Sequence, residues 1–206
     1  MLSKRKSRSL VALLAISLAG LSYADGNRAE TSGSTVSHQQ LLDASLEGSN
    51  WLTHGRDYSE TRYSPLRQIN DSNVDQLGLA WSIDLPDREG LQSTPLINDG
   101  VMYFSGTWSR VYAANAKTGE MLWQYDPQVD RELAIKFCCG VVNRGVALWD
   151  DAVYVGTLDG YLVALDAASG KEKWRVLTVD QTQSYSITGA PRVADGIVVI
   201  GNGGAE

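Results

Sequence analysis

Cys138 and Cys139 stand side by side and are the only cysteines in the chain. A trans peptide sets neighbouring Cα atoms about 3.8 Å apart, below the roughly 4.4 Å minimum of an ordinary disulfide, so joining these two sulfurs closes a small, stiff, strained ring. The alternatives are two reduced thiols acting as small apolar residues, or one thiol bonded to another chain. Arg144 follows shortly after in the run Gly140-Val141-Val142-Asn143-Arg144-Gly145. A guanidinium there can hold a carboxylate through paired hydrogen bonds, or it can simply cap carbonyls at a strand end. Thr188-Gly189-Ala190 and the run Gly201-Asn202-Gly203-Gly204-Ala205-Glu206 bracket one hairpin, so its two ends can lie together, and their small residues let a flat ligand approach the backbone. Glu206 offers hard oxygens to a divalent cation such as Ca²⁺; taken alone it is a solvated charge after a glycine loop. Gln92, ahead of Ser93 and Thr94, holds the corresponding place before the first hairpin.

Other chemistries fall away. His38 and His54 lack the neighbouring ligands of a zinc site, no glycine-rich phosphate loop precedes a helix, and no Ser, His and Asp set stands out.

The chain has 206 residues and a formal net charge of -6. Residues 1–24 begin with Lys4, Arg5, Lys6 and Arg8, continue as an apolar run of about a dozen residues, and end Ser22-Tyr23-Ala24, the layout of a cleaved secretory signal. That run falls short of the roughly 20 residues that cross a bilayer, so no stable membrane span is expected after cleavage. Without an Arg-Arg pair, the general export route is favoured over the twin-arginine one. Cleavage removes those four basic side chains and no acid, leaving the mature chain more acidic, which argues against a nucleic-acid partner. Export also places the cysteines in an oxidising, periplasmic space.

The elements that must position these residues follow in order. Residues 25–37 carry Gly, Ser, Thr and charge without apolar periodicity and read as a flexible mature N-terminus. Ser37 is a plausible N-cap for a short helix over residues 38–46, with Leu41, Leu42 and Leu46 on one face. Residues 73–77 suit one more helical turn, and residues 79–83 a strand. From there one pattern returns. Residues 95–105, 146–156 and 191–201 each read as apolar strand, tight turn at Asp99, Asp150 or Asp195, and a second strand rich in β-branched and aromatic residues. The following halves also match, since residues 112–123 and 162–174 each run through a Thr-Gly or Ser-Gly turn to a Trp. Four short strands recurring at roughly 40 to 50 residues are the mark of a β-propeller blade, with Trp123 and Trp174 packing between neighbours. Two full repeats flanked by two partial ones fall short of the minimum of about four blades, so the sheet cannot close. The expectation is an all-β, incomplete β-propeller over residues 38–206, with a short N-terminal helix, forming the N-terminal part of a longer protein.

Taken together, residues 51–70, the Cys138-Cys139-Gly-Val-Val-Asn-Arg144 run, the two Trp-ended blades, Ile187-Thr188-Gly189-Ala190-Pro191 and residues 201–206 resemble the N-terminal portion of the pyrroloquinoline quinone (PQQ) dependent alcohol dehydrogenases. The likeness covers nearly all of the mature chain, and the vicinal cysteines before Val-Val-Asn-Arg carry most of it. It implies an eight-bladed propeller that stacks PQQ on a Cys138–Cys139 disulfide ring, oxidises alcohols to aldehydes, and passes electrons to a cytochrome c or similar acceptor. On that resemblance Arg144 and Thr188 bind cofactor oxygens, Gly204 and Ala205 contact it through backbone, and Glu206 is a ligand of the catalytic Ca²⁺. Many members have Glu where this chain has Gln92, which alters the charge of that cofactor contact. The remaining metal ligands and the catalytic base lie downstream in the family, so these 206 residues are expected not to turn over substrate. Cys139-Gly140 and residues 156–166 resemble the quinohaemoprotein subgroup, which appends a cytochrome c domain, more than the methanol dehydrogenases. Any haem c would lie outside this stretch, which has no Cys-x-x-Cys-His. The contrasting expectation is a non-catalytic propeller scaffold of the outer-membrane assembly type, which leaves the adjacent cysteines beside Arg144 unexplained.

Overall fold

A computed structural model describes residues 35–86, 89–137 and 139–204. The expected signal at residues 1–24, most of the stretch to residue 37, and Cys138, Ala205 and Glu206 lie outside the described residues.

The first helix is short. Helix α1 spans His38–Leu42 and passes into a 3-10 turn at Asp43–Ser45. Ser37 caps it with a reciprocal box: its hydroxyl accepts from the Gln40 N–H while the Gln40 carboxamide accepts from the Ser37 N–H. Only one of the three leucines expected on the inner face is buried, Leu41, whereas Leu42 and Leu46 are 51% and 82% exposed. Leu42 follows Leu41 by one residue and so points about 100° away from it within the helix, and the change from α to 3-10 geometry at Asp43 breaks the periodicity before Leu46.

Two four-stranded antiparallel meanders follow. The first is β1 (Leu96–Asn98), β2 (Val101–Ser105), β3 (Val111–Asn115) and β4 (Met121–Tyr125), in that spatial order. The second is β5 (Ala147–Trp149), β6 (Ala152–Gly156), β7 (Tyr161–Asp166) and β8 (Glu172–Leu177). Beyond them, β9 (Tyr185–Ser186) pairs with β12 (Gly203–Gly204), enclosing the hairpin of β10 (Arg192–Ala194) and β11 (Ile197–Val199). No sheet closes on itself among the described residues. The β1/β2 and β10/β11 turns have positive φ at both central residues, +46° and +77° at Asp99-Gly100 and +49° and +75° at Asp195-Gly196, as a right-twisted hairpin requires.

The strand expected over residues 79–83 does not form, because that segment has no ladder partner among the described residues. Its Trp81 nevertheless takes the place that Trp123 takes one repeat later. An added Cβ on Gly119 would lie 2.7 Å from the Trp81 ring, and one on Gly170 would lie 2.5 Å from Trp123. Each Trp therefore rests flat on the glycine that ends the next β3-β4 type turn. The turn itself is shaped by an Asx oxygen: Asn115 accepts from the Lys117 and Thr118 amides, and Asp166 from the Ser169 amide and hydroxyl. Those Ser169 bonds hold the Asp166 carboxyl below its ordinary range.

Across the same interface the Trp123 Nε1–H donates to the Ala167 carbonyl at 2.9 Å, and the Tyr103 hydroxyl to the same oxygen at 3.3 Å. Burial, with Asp166 and Asp99 nearby, pushes the Tyr103 hydroxyl up to about 12, so it stays protonated and donates. Tyr125 gives its O–H to Glu172 at 2.7 Å. The main core joins both meanders: Leu96, Tyr103, Val111 and Ala113 meet Val146, Leu148, Val153 and Val163. Trp174, the equivalent ring on β8, is 43% exposed.

The N-terminal segment is stitched to both hairpins. Val36, 2% exposed, exchanges backbone hydrogen bonds with Asp150, and Trp51 does so with Ile97 at the free edge of β1. Between this segment and the β5 and β10 strands lies a cavity of about 250 Å³ lined by Leu41, Leu52, His54, Val146, Leu148 and Val193. The His54 Nδ1 and Thr53 Oγ1 atoms are buried without hydrogen-bond partners among the described residues. Burial, and then the Arg192 and Arg62 charges, push the His54 imidazole below its ordinary 6.5.

Two outcomes follow from this packing. Gly170→Ala is expected to cost about 2–3 kcal/mol in urea denaturation, from the clash with Trp123 added to a left-handed φ. Gly196→Ala, equally left-handed but 3.6 Å from the Trp149 ring, should cost only about 1 kcal/mol; equal losses would show that the ring does not need its glycine. For His54, a depressed folded pKa means the unfolded chain takes up the proton first. Its stabilising contribution is therefore present above pH 6.5 and lost as pH falls through the lower folded value. A melting-temperature profile should decline on the acid side of 6.5 and flatten there in His54→Gln.

Candidate functional site

Three chain segments run side by side where they enter the inner strands, and they carry most of the described candidate residues. Thr94, ahead of β1, forms a parallel bridge with Gly145, ahead of β5, and its N–H donates to the Arg144 carbonyl at 3.3 Å. The Arg144 N–H in turn donates to the Thr188 carbonyl at 2.9 Å. Gly145 has φ +140°, and an added Cβ would meet Ala190 Cβ at 3.3 Å and the Thr94 carbonyl at 3.4 Å. A side chain here would wedge the segments apart.

Arg144 is half-buried, and its Nη1 donates to the Thr188 hydroxyl at 2.6 Å. No carboxylate pairs with it among the described residues. A half-buried guanidinium in that condition is suited to a ligand carboxylate, because its remaining donors gain strong charge-assisted bonds only from an anion. The two residues that the resemblance names as cofactor contacts are thus hydrogen-bonded to each other.

Gly204 also lies where the hairpin reading put it. Gly203 and Gly204 pair with Ser186 and Tyr185, next to Thr188, so the two ends of the β10/β11 hairpin do come together. Gly204 has φ +94°, and a Cβ would fall 2.1 Å from the Ser184 carbonyl, so only glycine fits that approach. Around it, Cβ atoms built on Gly189, Gly201 and Gly203 would meet nothing within 4 Å, leaving open space for a ligand to reach the backbone. Gln92 is exposed and two residues from the Thr94 bridge.

Cys139 is exposed and carries a free thiol, so the expected ring with Cys138 is not formed in this structure. Cys138, Ala205 and Glu206 fall outside the described residues. Among the described residues no group of three or more His, Cys, Asp or Glu side chains is placed to hold a metal.

The support beneath this cluster was not foreseen from sequence. Asn143, 1% exposed, accepts from the Gly145 N–H at 3.1 Å and donates to the Gly156 carbonyl at 2.8 Å. It reaches the Ser109 hydroxyl at 3.4 Å, and that oxygen accepts the Leu158 N–H at 3.0 Å. The Trp108 N–H donates to the Val141 carbonyl at 2.8 Å, and its ring packs with Phe137, Val129 and Leu158 beside the cysteine run. The Arg131 guanidinium lies 3.9 Å from the Trp108 ring centroid. Nothing in a Gly-Thr-Trp-Ser-Arg string signals such a role, since neither Trp nor Ser is the residue type that ordinarily marks a left-handed turn.

These donors fit a planar, carboxylate-bearing quinone: a guanidinium and a hydroxyl for its oxygens, and bare glycine backbone for its faces and edges. Comparison with known proteins gives the family. The family description "glucose/ethanol/alcohol dehydrogenase, beta-propeller domain" (PQQ) matches residues 51–205. The quinohemoprotein alcohol dehydrogenase ADH IIB of Pseudomonas putida is 60% identical over 159 residues, covering 77% of this chain and 23% of that protein. The solved structure of the quinohemoprotein alcohol dehydrogenase of Comamonas testosteroni superposes with a TM-score of 0.79 at 53% identity, over 82% of this chain and 25% of that one. A europium-containing methanol dehydrogenase superposes with a TM-score of 0.76 at 38% identity, over 81% of this chain and 29% of the other. The chain therefore spans about a quarter of the length of the relatives it matches. With the propeller-domain match extending over most of its residues, the chain belongs to the PQQ-dependent glucose/ethanol/alcohol dehydrogenase family.

Proposed function

We propose that the protein carrying this chain is a periplasmic alcohol dehydrogenase that oxidises alcohols to aldehydes with PQQ and Ca²⁺ and passes the electrons to a cytochrome c or similar acceptor. The observation that carries the reading is the half-buried Arg144, bonded to the Thr188 hydroxyl and facing no carboxylate among the described residues. PQQ bound there supplies a two-electron acceptor, and Ca²⁺ the Lewis acid that polarises its carbonyl.

This chain's own part is binding and orientation. Arg144 and Thr188 hold the cofactor's carboxylate and carbonyl oxygens, Gly204 and Ala205 give it close backbone contact, and Glu206 ligates the cation. The exposed Cys139 thiol is open to oxidation with Cys138, and the resulting stiff ring forms a platform against one cofactor face. Gln92, neutral where the family resemblance implies a carboxylate, can donate to a cofactor oxygen as well as accept. The catalytic base and the haem-bearing domain of the quinohaemoprotein subgroup lie outside these residues. The leader at residues 1–24 delivers the protein to the oxidising compartment the disulfide needs.

Reconstituting the whole protein with PQQ and Ca²⁺ should yield dye reduction dependent on a primary alcohol; no reduction with both supplied would overturn the assignment. Arg144→Ala should weaken PQQ binding about 30- to 100-fold in an absorbance titration, as expected for a lost charge-assisted pair of about 2–3 kcal/mol. Cys138→Ser should abolish dye reduction while the circular dichroism spectrum is kept, and unchanged turnover would show that the ring is dispensable.

A further inference from the structure

Ser109 stands out for a conformation it has no intrinsic reason to adopt. It is fully buried, with a relative exposure of 0%, and it and Trp108 form consecutive left-handed residues, φ +57° and +59°. Neither is Gly, Asn or Asp, so the backbone itself opposes this geometry, and it persists only because surrounding contacts impose it. Such strain in a well-packed loop marks a place where position matters more than local comfort.

The contacts show what is positioned. From the β2-β3 connection of the first meander, the Ser109 oxygen reaches into the second, accepting the Leu158 N–H at 3.0 Å and meeting the Asn143 Nδ2 at 3.4 Å. Asn143 makes two further bonds: Oδ1 receives the Gly145 N–H at 3.1 Å, two residues on, and Nδ2 also donates to the Gly156 carbonyl at the end of β6 at 2.8 Å. Arg144 lies between the two residues so fixed. On its other side, its N–H and Nη1 engage Thr188. One residue back, the Trp108 N–H takes the Val141 carbonyl, which ties the same loop to the end of the cysteine run. The loop thus spaces the Cys139 side of the site from the Arg144 side.

We propose that Ser109 is a positioning residue for the cofactor site: its hydroxyl oxygen, presented by the paired left-handed backbone, holds the Asn143 carboxamide and thereby sets where Arg144 points. The proposal rests on the reading of Arg144 as a PQQ ligand. Ser109 does not touch cofactor or substrate; it acts through Asn143. The left-handed turn is what allows a residue of one blade to hand an acceptor to the next, and the hydroxyl, not the backbone shape, carries the effect.

The test compares Ser109→Ala and Ser109→Gly in the whole protein. Both lose the oxygen, but only glycine is at ease with the left-handed φ. Both are expected to raise the Kd for PQQ about tenfold and to leave the KM for alcohol within about twofold of the unaltered enzyme. Amide hydrogen exchange at Leu158 and Gly145, followed without cofactor, should accelerate about tenfold or more. If Ser109→Ala does not fold, Ser109→Cys, a weaker acceptor of similar size, should show the same changes in smaller degree. Glycine binding PQQ as well as serine does, or exchange at Leu158 and Gly145 unchanged in both variants, would overturn the proposal. A loss of melting temperature with an unaltered Kd would likewise reduce Ser109 to a structural residue. Should the unaltered protein fail to bind PQQ, the functional reading falls, and the exchange rates still decide whether Ser109 holds the Arg144 turn.

Discussion

A tryptophan ring lying on a bare glycine is the contact on which the rest of this structure depends. It occurs for Trp81 on Gly119 and again for Trp123 on Gly170. An indole supplies far more apolar surface than any aliphatic side chain, and a flat ring can settle fully only where the facing backbone has no Cβ. That fit sets the distance and angle between successive sheets. The Trp123 bond to Ala167 then fixes the rotation, since a donor inside an apolar layer must find an acceptor.

Once that spacing is set, the inner ends of the sheets arrive side by side, and the site is a by-product of their arrival. Thr94, Arg144 and Thr188 come from three different repeats, yet backbone hydrogen bonds join them in one row. Gly145 makes the row possible by letting Ala190 and Thr94 come close. A guanidinium placed on such a row is held by main chain on both sides, so little conformational entropy remains to be lost when it grips an anion.

The repeats were legible because each level of signal agreed: Asp-Gly turns, β-branched strands and a Trp at the close of each unit. The same consistency brought Gly204 back beside residues 185 and 186, whereas Arg144 and Thr188 were linked only by the family resemblance. Two readings failed for physical reasons. The leucine stripe of the first helix depended on α periodicity that ends at Asp43, and the strand at residues 79–83 has residues of the right type with no described edge to pair with. Ser109 and Asn143 were invisible for a different reason: Ser109 meets Asn143 and Leu158 at separations of 34 and 49 residues, and left-handed backbone at Trp-Ser leaves no compositional trace.

The Trp-on-glycine register also has a consequence in time. Each ring comes before its own seat in the chain: Trp123 precedes Gly170, and Trp81 precedes Gly119. An indole already built into its sheet therefore stays wet until the turn that follows it has folded and docked. Assembly of such a protein is a relay in which every finished sheet presents a sticky face to whatever arrives next, and escort factors that favour aromatic surfaces would find one new landing place per repeat.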